Sequence, residues 1–406
     1  MKYVMIIPDG GTDEPCQALG GQTPLQAANI PYMDEVARTG LLGRARNVPD
    51  QFIPASDVAT LSLFGYDPVR YYTGRAPLEV VAMGIPLGPL DWAVRCNLVN
   101  ITDGRMTDFT AGHVTSPEAA IFIDAIQREL IGKFPGIEFH PGVSYRNIMI
   151  VREQEGASPR LGETTHTTPP HDIPDQPVAD YLPKGQGGDW LRALMTAGAE
   201  VVKNHPANLE REAHGHKPAN AIWLWGQGKA PKVPSFQELH GLRGAIISAV
   251  DLVRGTGQLA GWERIDVPTA TGYLDTDYAA KGRAGIEALK SHDLVCVHVE
   301  APDEASHEGR AEAKVEALER IDSEIVGPML EALRRQGDFR LLVSPDHSTL
   351  VRTKAHDRAP VAWAITGTGL APSGGSYNEI SANEVKGPFL DKGWQLMERY
   401  FLAPRS

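Results

Sequence analysis

The stretch Leu341-Leu342-Val343-Ser344-Pro345-Asp346-His347-Ser348 decides how this chain is read. An apolar run of strand type stops abruptly at an acid and an imidazole. Open α/β sheets bind their ligands at the carboxyl ends of the strands. From that position Asp346 and His347 offer a cation one hard oxygen and one nitrogen. A lone Asp-His pair is most often a solvated loop, so its meaning rests on what else the chain brings to the same edge.

Working outward, two further strand-like runs end in the same way. Tyr3 to Ile7 shows little alternation, as expected of a strand buried on both faces, and Asp9 follows it. Asp293 to Glu300 is followed by Asp303 and His307, which share one face if that turn is helical. His356 lies beyond His347, just before a last strand from Val361 to Thr366. Asp9, Asp303, Asp346, His307, His347 and His356 together are enough for two divalent cations. Oxygen and nitrogen ligation without thiolate suits Mn²⁺, Mg²⁺ or Zn²⁺. Ser56 begins an apolar-periodic stretch that Gly65 closes, so it reads as a helix N-terminus. Its structural reading is a helix cap. Its functional reading is a nucleophile whose hydroxyl a metal activates, beside backbone N–H groups that favour an anion.

The rest of the chain sets the frame. Pro31 to Arg38 reads as a helix closed by Gly40, Gly43 to Val48 as a strand, and Pro77 to Met83 as a helix. Near Trp92 the character changes to alternation, with Trp92, Val94, Cys96 and Leu98 on one face of a half-buried antiparallel strand. A helix from Pro117 to Ile131, strands around Ile137–Phe139 and Tyr145–Arg152, and a loop from Gly156 to Gly188 follow. The βα rhythm returns at Ala221–Trp225 and Ala245–Val250, then a helix at Asp277–His292 and a long one at Arg310–Arg335. The expected architecture is α/β: a mostly parallel sheet sandwiched by helices, built from residues 1–90 and 219–406 as a metal-binding catalytic domain. Residues 91–218 form an inserted smaller α+β domain, read as a substrate or lid domain.

Composition narrows the function. The chain has 406 residues and a formal net charge of -12, with 42% hydrophobic residues, enough for real cores. The acidic balance argues against nucleic-acid or anionic-membrane partners, and leaves room for a small anionic substrate at a metal. Cys16, Cys96 and Cys296 are far apart and form neither a zinc ribbon nor a disulfide framework. Apolar runs of the ~18 residues a membrane span needs are absent, and Met1 to Ile7 reads as a first strand, not a signal peptide. A soluble cytoplasmic protein is expected. Gly255-x-Gly257-x-x-Ala260 comes too late after its strand for a dinucleotide fingerprint. Gly226-Gln227-Gly228-Lys229 lacks the spacing and the Ser/Thr of a P-loop.

The order Asp, Ser, Asp-x-x-x-His, Asp-His, His resembles the signature of the alkaline phosphatase superfamily. Within it the chain resembles the archaeal-type, cofactor-independent phosphoglycerate mutases over nearly its full length. The carrying segments include Ile7-Pro8-Asp9-Gly10, Pro54-Ala55-Ser56-Asp57, Gly65-Tyr66-Asp67-Pro68, Tyr72-Thr73-Gly74-Arg75, Arg95-Cys96-Asn97, Ala111-Gly112-His113, Asp303-Glu304-Ala305-Ser306-His307 and Asp346-His347-Ser348-Thr349. The resemblance implies an alkaline-phosphatase-like fold and a cytoplasmic glycolytic isomerase. It implies that Asp9, Ser56, Asp346 and His347 hold one metal and Asp303, His307 and His356 the other, with Mn²⁺ favoured. Ser56 would accept the phosphoryl group and return it to the other hydroxyl of a bound glycerate. No 2,3-bisphosphoglycerate would be needed. Arg95, His113, Arg146 and Lys281 are the candidates for gripping phosphate and carboxylate.

Two positions depart from the mutase pattern. The strand that usually precedes an Arg here runs into Trp225-Gly226-Gln227-Gly228, and the usual Pro-Gly-Ser-Asp is Pro54-Ala55-Ser56-Asp57. The former segment and Pro169-Pro170-His171-Asp172 look like a sister subgroup proposed as homoserine kinase. A phosphotransferase making O-phosphohomoserine in threonine biosynthesis, and a metal-dependent phosphomonoesterase, therefore remain the alternatives.

Overall fold

Residues 1–404 are described in the computed structural model of the chain. The chain forms two units, Met1–Tyr72 with Lys232–Ser406, and Thr73–Pro231.

The larger unit is organised on β1 (Lys2–Pro8). It lies between β10 (Leu294–Val299) and β11 (Phe339–Val343), parallel to both. Outward from β10 come β8 (Gly244–Ile247) and β9 (Glu263–Arg264), also parallel. Outward from β11 come β14 (Val361–Gly367), β2 (Leu41–Ala45) and β15 (Phe389–Leu390). Only β14 runs against the rest, since it pairs antiparallel with both β11 and β2.

Side chains alternate across a strand, and β1 shows what that does here. Val4 and Ile6 enter one core with Val36, Leu318, Ile321 and Leu333, while Tyr3, Met5 and Ile7 enter another with Leu61, Phe64, Val253 and Phe401. Both faces are thus covered by helices, which is why this strand reads as apolar without alternation. The register pairs Ile6 with Val343 and Pro8 with Val299, so the carboxyl ends of β1, β10 and β11 finish at one edge. Asp9, Glu300 and Asp346 are delivered there by the same pairing that builds the core.

One long helix was expected from Arg310 to Arg335. The structure has helices Ala311–Ile321 and Gly327–Gln336 joined by a π turn, Asp322–Val326. The wide turn lets the buried Asp322 carboxylate accept from the backbone N–H groups of Tyr32 and Met33, at the start of helix Pro31–Thr39.

The smaller unit is an antiparallel sheet. Its long strand β3 (Trp92–Thr102) pairs with β4 (Arg105–Asp108), β6 (Arg146–Val151) and β7 (Ala221–Lys229), and β5 (Ile137–Val143) pairs with β6. Helices Ser116–Leu130 and Gly188–Lys203 supply Phe122, Ile126, Leu191 and Leu194 to its core. Two segments expected with the larger sheet belong here instead. Ala221–Trp225 lies in β7 and pairs with β3. The helix expected at Pro77–Met83 is Arg75–Ala82, and its Ala76 and Val80 pack on Ala93, Ile148 and Ile150. The unit therefore spans 73–231 where 91–218 was expected. Both segments are apolar runs whose periodicity names a conformation but not the sheet that will bury it.

Among the described residues no helix is long and apolar enough to cross a membrane.

Candidate metal centre

Four residues converge beyond the ends of β1 and β11. Asp9, Asp346 and His347 are buried, and their ligand atoms lie within 4.8 Å of one another. His347 Nε2 stands 3.4 Å from Asp9 Oδ1 and 3.5 Å from Asp346 Oδ2. Neither carboxylate oxygen has a hydrogen-bond partner. Ser56 Oγ lies 3.0 Å from the same imidazole nitrogen. Ser56 is the first residue of helix Ser56–Leu63, whose N-cap is Ala55, and no side chain caps that helix. The capping reading of Ser56 therefore fails: its hydroxyl is turned to His347.

A second group stands beside the first. Asp303 and His307 lie one turn apart on helix Ala301–Glu308, as their spacing requires. His356 comes from a hairpin of β12 (Ser348–Leu350) and β13 (Ala355–Asp357). His307 Nε2 is 3.1 Å from Asp303 Oδ2 and 3.0 Å from His356 Nε2. The His347 and His356 rings are 4.3 Å apart between centroids, so the two groups adjoin.

The proton positions show what these groups suit. His307 Nδ1 faces the Lys354 carbonyl at 2.9 Å, and His356 Nδ1 faces that of Pro54 at 3.1 Å. A carbonyl only accepts, so each Nδ1 carries the proton. In the neutral rings two Nε2 lone pairs then meet at 3.0 Å, an arrangement a cation relieves. Burial and then the Asp346 charge push Asp9 well above the usual carboxylate range. Burial and then Asp303 push Glu300 up to about 8. Orphaned carboxylate oxygens, facing imidazole lone pairs and crowded buried acids all fit divalent cations held by oxygen and nitrogen.

The backbone makes room for this density of ligands. Gly10 has φ of 60°, and its N–H donates to Asp346 Oδ1 over 3.3 Å. A Cβ there would stand 2.5 Å from Asp303 Oδ1 and 2.6 Å from Thr349 Oγ1. Glycine is required both for the left-handed turn and for the close approach.

Two residues that the sequence reading did not single out also belong to this edge. His298 is buried, and its Nε2 is 2.7 Å from Asp9 Oδ2, while its Nδ1 is 3.1 Å from Ser248 Oγ. Burial pushes that ring down to about 3, so it is neutral, and its contact fixes which Asp9 oxygen is left over. Glu300 lies 3.5 Å from the same Nε2. The signal was present: a histidine inside an otherwise apolar buried strand needs a partner.

The four residues named for gripping substrate have different surroundings. Lys281 is fully buried and donates to the His298 carbonyl over 3.2 Å. Burial pushes its ammonium down to about 8. In the smaller unit Arg95 is also buried, with Nε 3.0 Å from Glu79 and its guanidinium 4.2 Å from the Trp225 ring centroid. Arg146 pairs with Asn97, two residues along β3 from Arg95, and is exposed. His113 is exposed on a turn in which Ala111, Gly112 and His113 all have positive φ, an uncommon run that Arg211 braces by donating to the Ala111 carbonyl. Gln227, in the segment Trp225-Gly226-Gln227-Gly228, accepts from Thr167 and donates to the Thr165 carbonyl.

The family profile described as 2,3-bisphosphoglycerate-independent phosphoglycerate mutase matches residues 37–208. A protein of that name from Methanothrix thermoacetophila is 50% identical over 386 residues, covering 95% of each chain. The chain belongs to this family. Among solved structures, the PH0037 protein from Pyrococcus horikoshii is 27% identical, with a TM-score of 0.78, over 97% of this chain and 94% of that one. A cofactor-independent phosphoglycerate mutase from Thermoplasma acidophilum shares the fold at 24% identity and a TM-score of 0.65, over 98% of both chains. The α/β fold with a mostly parallel central sheet is thus that of the family, and the buried ligands lie at the strand ends where such folds place their chemistry.

Proposed function

We propose that the protein interconverts 3-phosphoglycerate and 2-phosphoglycerate by transferring the phosphoryl group through Ser56, without 2,3-bisphosphoglycerate. One cation is assigned to Asp9, Ser56, Asp346 and His347, and a second to Asp303, His307 and His356, with Mn²⁺ the favoured ion. The observation that carries this reading is the Ser56 hydroxyl, which caps no helix and is turned to the His347 nitrogen that also faces two partnerless carboxylate oxygens. The names of relatives half identical in sequence agree with it.

Bound divalent cations would favour the ionised serine and offset charge on the phosphoryl oxygens. In the first step a bond forms from Ser56 Oγ to phosphorus, and the bond from phosphorus to the C3 oxygen breaks. That oxygen ends with the proton the serine gave up. In the second step the C2 hydroxyl oxygen bonds to phosphorus, the bond to Ser56 Oγ breaks, and the serine recovers a proton. The sum is an isomerisation with no co-reactant. The chain's own contribution is to hold Ser56 at the helix start and to keep water from a buried centre. Arg146 and His113 are assigned to phosphate and carboxylate, with the buried Arg95 near Arg146 on the sheet.

The test is to give Mn²⁺-loaded protein 3-phosphoglycerate and follow phosphorus resonances. 2-Phosphoglycerate should appear, stop with chelator, and leave phosphate on the Ser56 peptide in quenched samples. Inorganic phosphate alone would make the protein a phosphomonoesterase. O-Phosphohomoserine formed from homoserine and ATP, with no mutase turnover, would overturn the proposal in favour of the sister subgroup.

A further inference from the structure

We infer that Thr349 is a positioning residue shared by both cation positions, so that one hydroxyl aligns a ligand of each. This rests on the two-cation reading above. Thr349 is fully buried on β12. Its Oγ1 lies 3.1 Å from His347 Nδ1 and 2.5 Å from Asp303 Oδ1. The chemistry gives each contact a direction. The Asp303 carboxylate accepts, so the hydroxyl hydrogen goes to Asp303. The hydroxyl oxygen is then free to accept from His347 Nδ1–H. That bond, together with the Ser348 carbonyl 3.3 Å from the same nitrogen, holds the proton on Nδ1 and leaves the Nε2 lone pair toward Asp9, Asp346 and Ser56. The same hydroxyl occupies Asp303 Oδ1, so that Oδ2 is the oxygen turned to His307.

Thr349 is itself clamped from the backbone. Its N–H donates to the Thr12 carbonyl over 3.2 Å, and its carbonyl accepts from the buried Lys314 ammonium over 2.8 Å. Lys314 also holds Asp13 at 2.8 Å and the Thr12 carbonyl at 3.3 Å. The segment after β1 and the hairpin bearing His356 are therefore tied together at the residue whose hydroxyl joins the two ligand sets. His347 and Asp303 come from different elements, and the Thr349 hydroxyl lies within hydrogen-bond distance of both. Residues that orient metal ligands typically change affinity about 10–100-fold when lost.

The test titrates metal-free protein with Co²⁺, whose visible absorption reports each position as it fills. Thr349→Val keeps the shape and removes the hydroxyl, and Thr349→Ser keeps the hydroxyl and removes the methyl. Thr349→Val is expected to weaken both steps about 10–100-fold, and Thr349→Ser to stay within about threefold of wild type. Thermal unfolding of the metal-free variants gives the purely structural cost, which the serine rescue would not follow. If Thr349→Val fails to fold, Thr349→Ala takes its place, with the same expectation. A wild-type protein filling two steps while the hydroxyl-free variant fills either with unchanged affinity would overturn the inference alone. A wild-type protein that takes up no second cation would overturn the two-cation reading and this inference with it.

Discussion

The two proposed cation positions adjoin, yet they are built differently. Asp9, Asp346 and His347 follow strand ends or sit in the chain directly beyond them, and their side chains are 0% exposed. Asp303, His307 and His356 come from a helix turn and a hairpin, and the two imidazoles keep 35% and 23% of their side-chain surface. Without metal, a proton can serve the second group: burial works against the charged His307 ring, but its hydrogen bond to Asp303, the Asp303 charge and the Lys354 carbonyl together outweigh burial and carry the ring up to about 9. In the first group the proton goes to a carboxylate instead, because burial pushes the His347 ring down and Asp9 up. The difference teaches that the same ligand types hold a metal-free proton on a carboxylate or on an imidazole according to how much water reaches them.

The largest effect should come from the first group. Ser56→Ala is expected to lower mutase turnover at least about 10,000-fold, since no water or second substrate replaces a covalent acceptor held in place. The remaining ligands of both positions stay, so bound metal measured by elemental analysis should change little. Substantial turnover in this variant would place the chemistry elsewhere and erase the distinction between the two groups.

Gly10→Ala sharpens the comparison from the backbone side. The new methyl would press on Asp303 and Thr349 and force a side chain into a left-handed turn. A loss of about 1–3 kcal/mol in denaturant unfolding is expected, with metal uptake falling first at the Asp303 group. Unchanged stability and metal content would show that the loop relaxes at no cost.

The smallest effect is on pH. His307 has a folded pKa raised to about 9 against an ordinary value of 6.5. Its contribution to metal-free stability is therefore full below about pH 6.5 and is lost as pH rises through about 9. The ring is about a third exposed, so solvent screening holds the contribution under about 1 kcal/mol. Thermal midpoints of metal-free wild type and His307→Gln should converge between neutral and alkaline pH. Parallel curves across that range would remove the proton-for-metal substitution at the second group.

Much of the centre was legible in the chain. Asp9, Asp303, Asp346 and His347 follow apolar runs, and a turn's spacing puts His307 beside Asp303. The part that was not legible depends on distance in the fold. Lys281 read as a charge for a substrate, and nothing in the local pattern foretold its burial or its bond to the His298 carbonyl. Ser56 taken alone read more readily as a cap than as a nucleophile, until Ala55 proved to be the N-cap.

The sequence by itself determined the edge at which the chemistry gathers. Strand runs without alternation demand cover on both faces, parallel neighbours finish together, and the residues just after them meet. Tertiary structure alone decided which sheet took Ala221–Lys229, because an apolar run fits any partner that buries it and β3 lies more than a hundred residues earlier in the chain. It alone decided that Thr349 spans two ligand sets, that His298 backs Asp9, and that His307 Nδ1 faces the Lys354 carbonyl. Each of these depends on separations of a few ångströms and on the exclusion of water, quantities that local pattern does not carry.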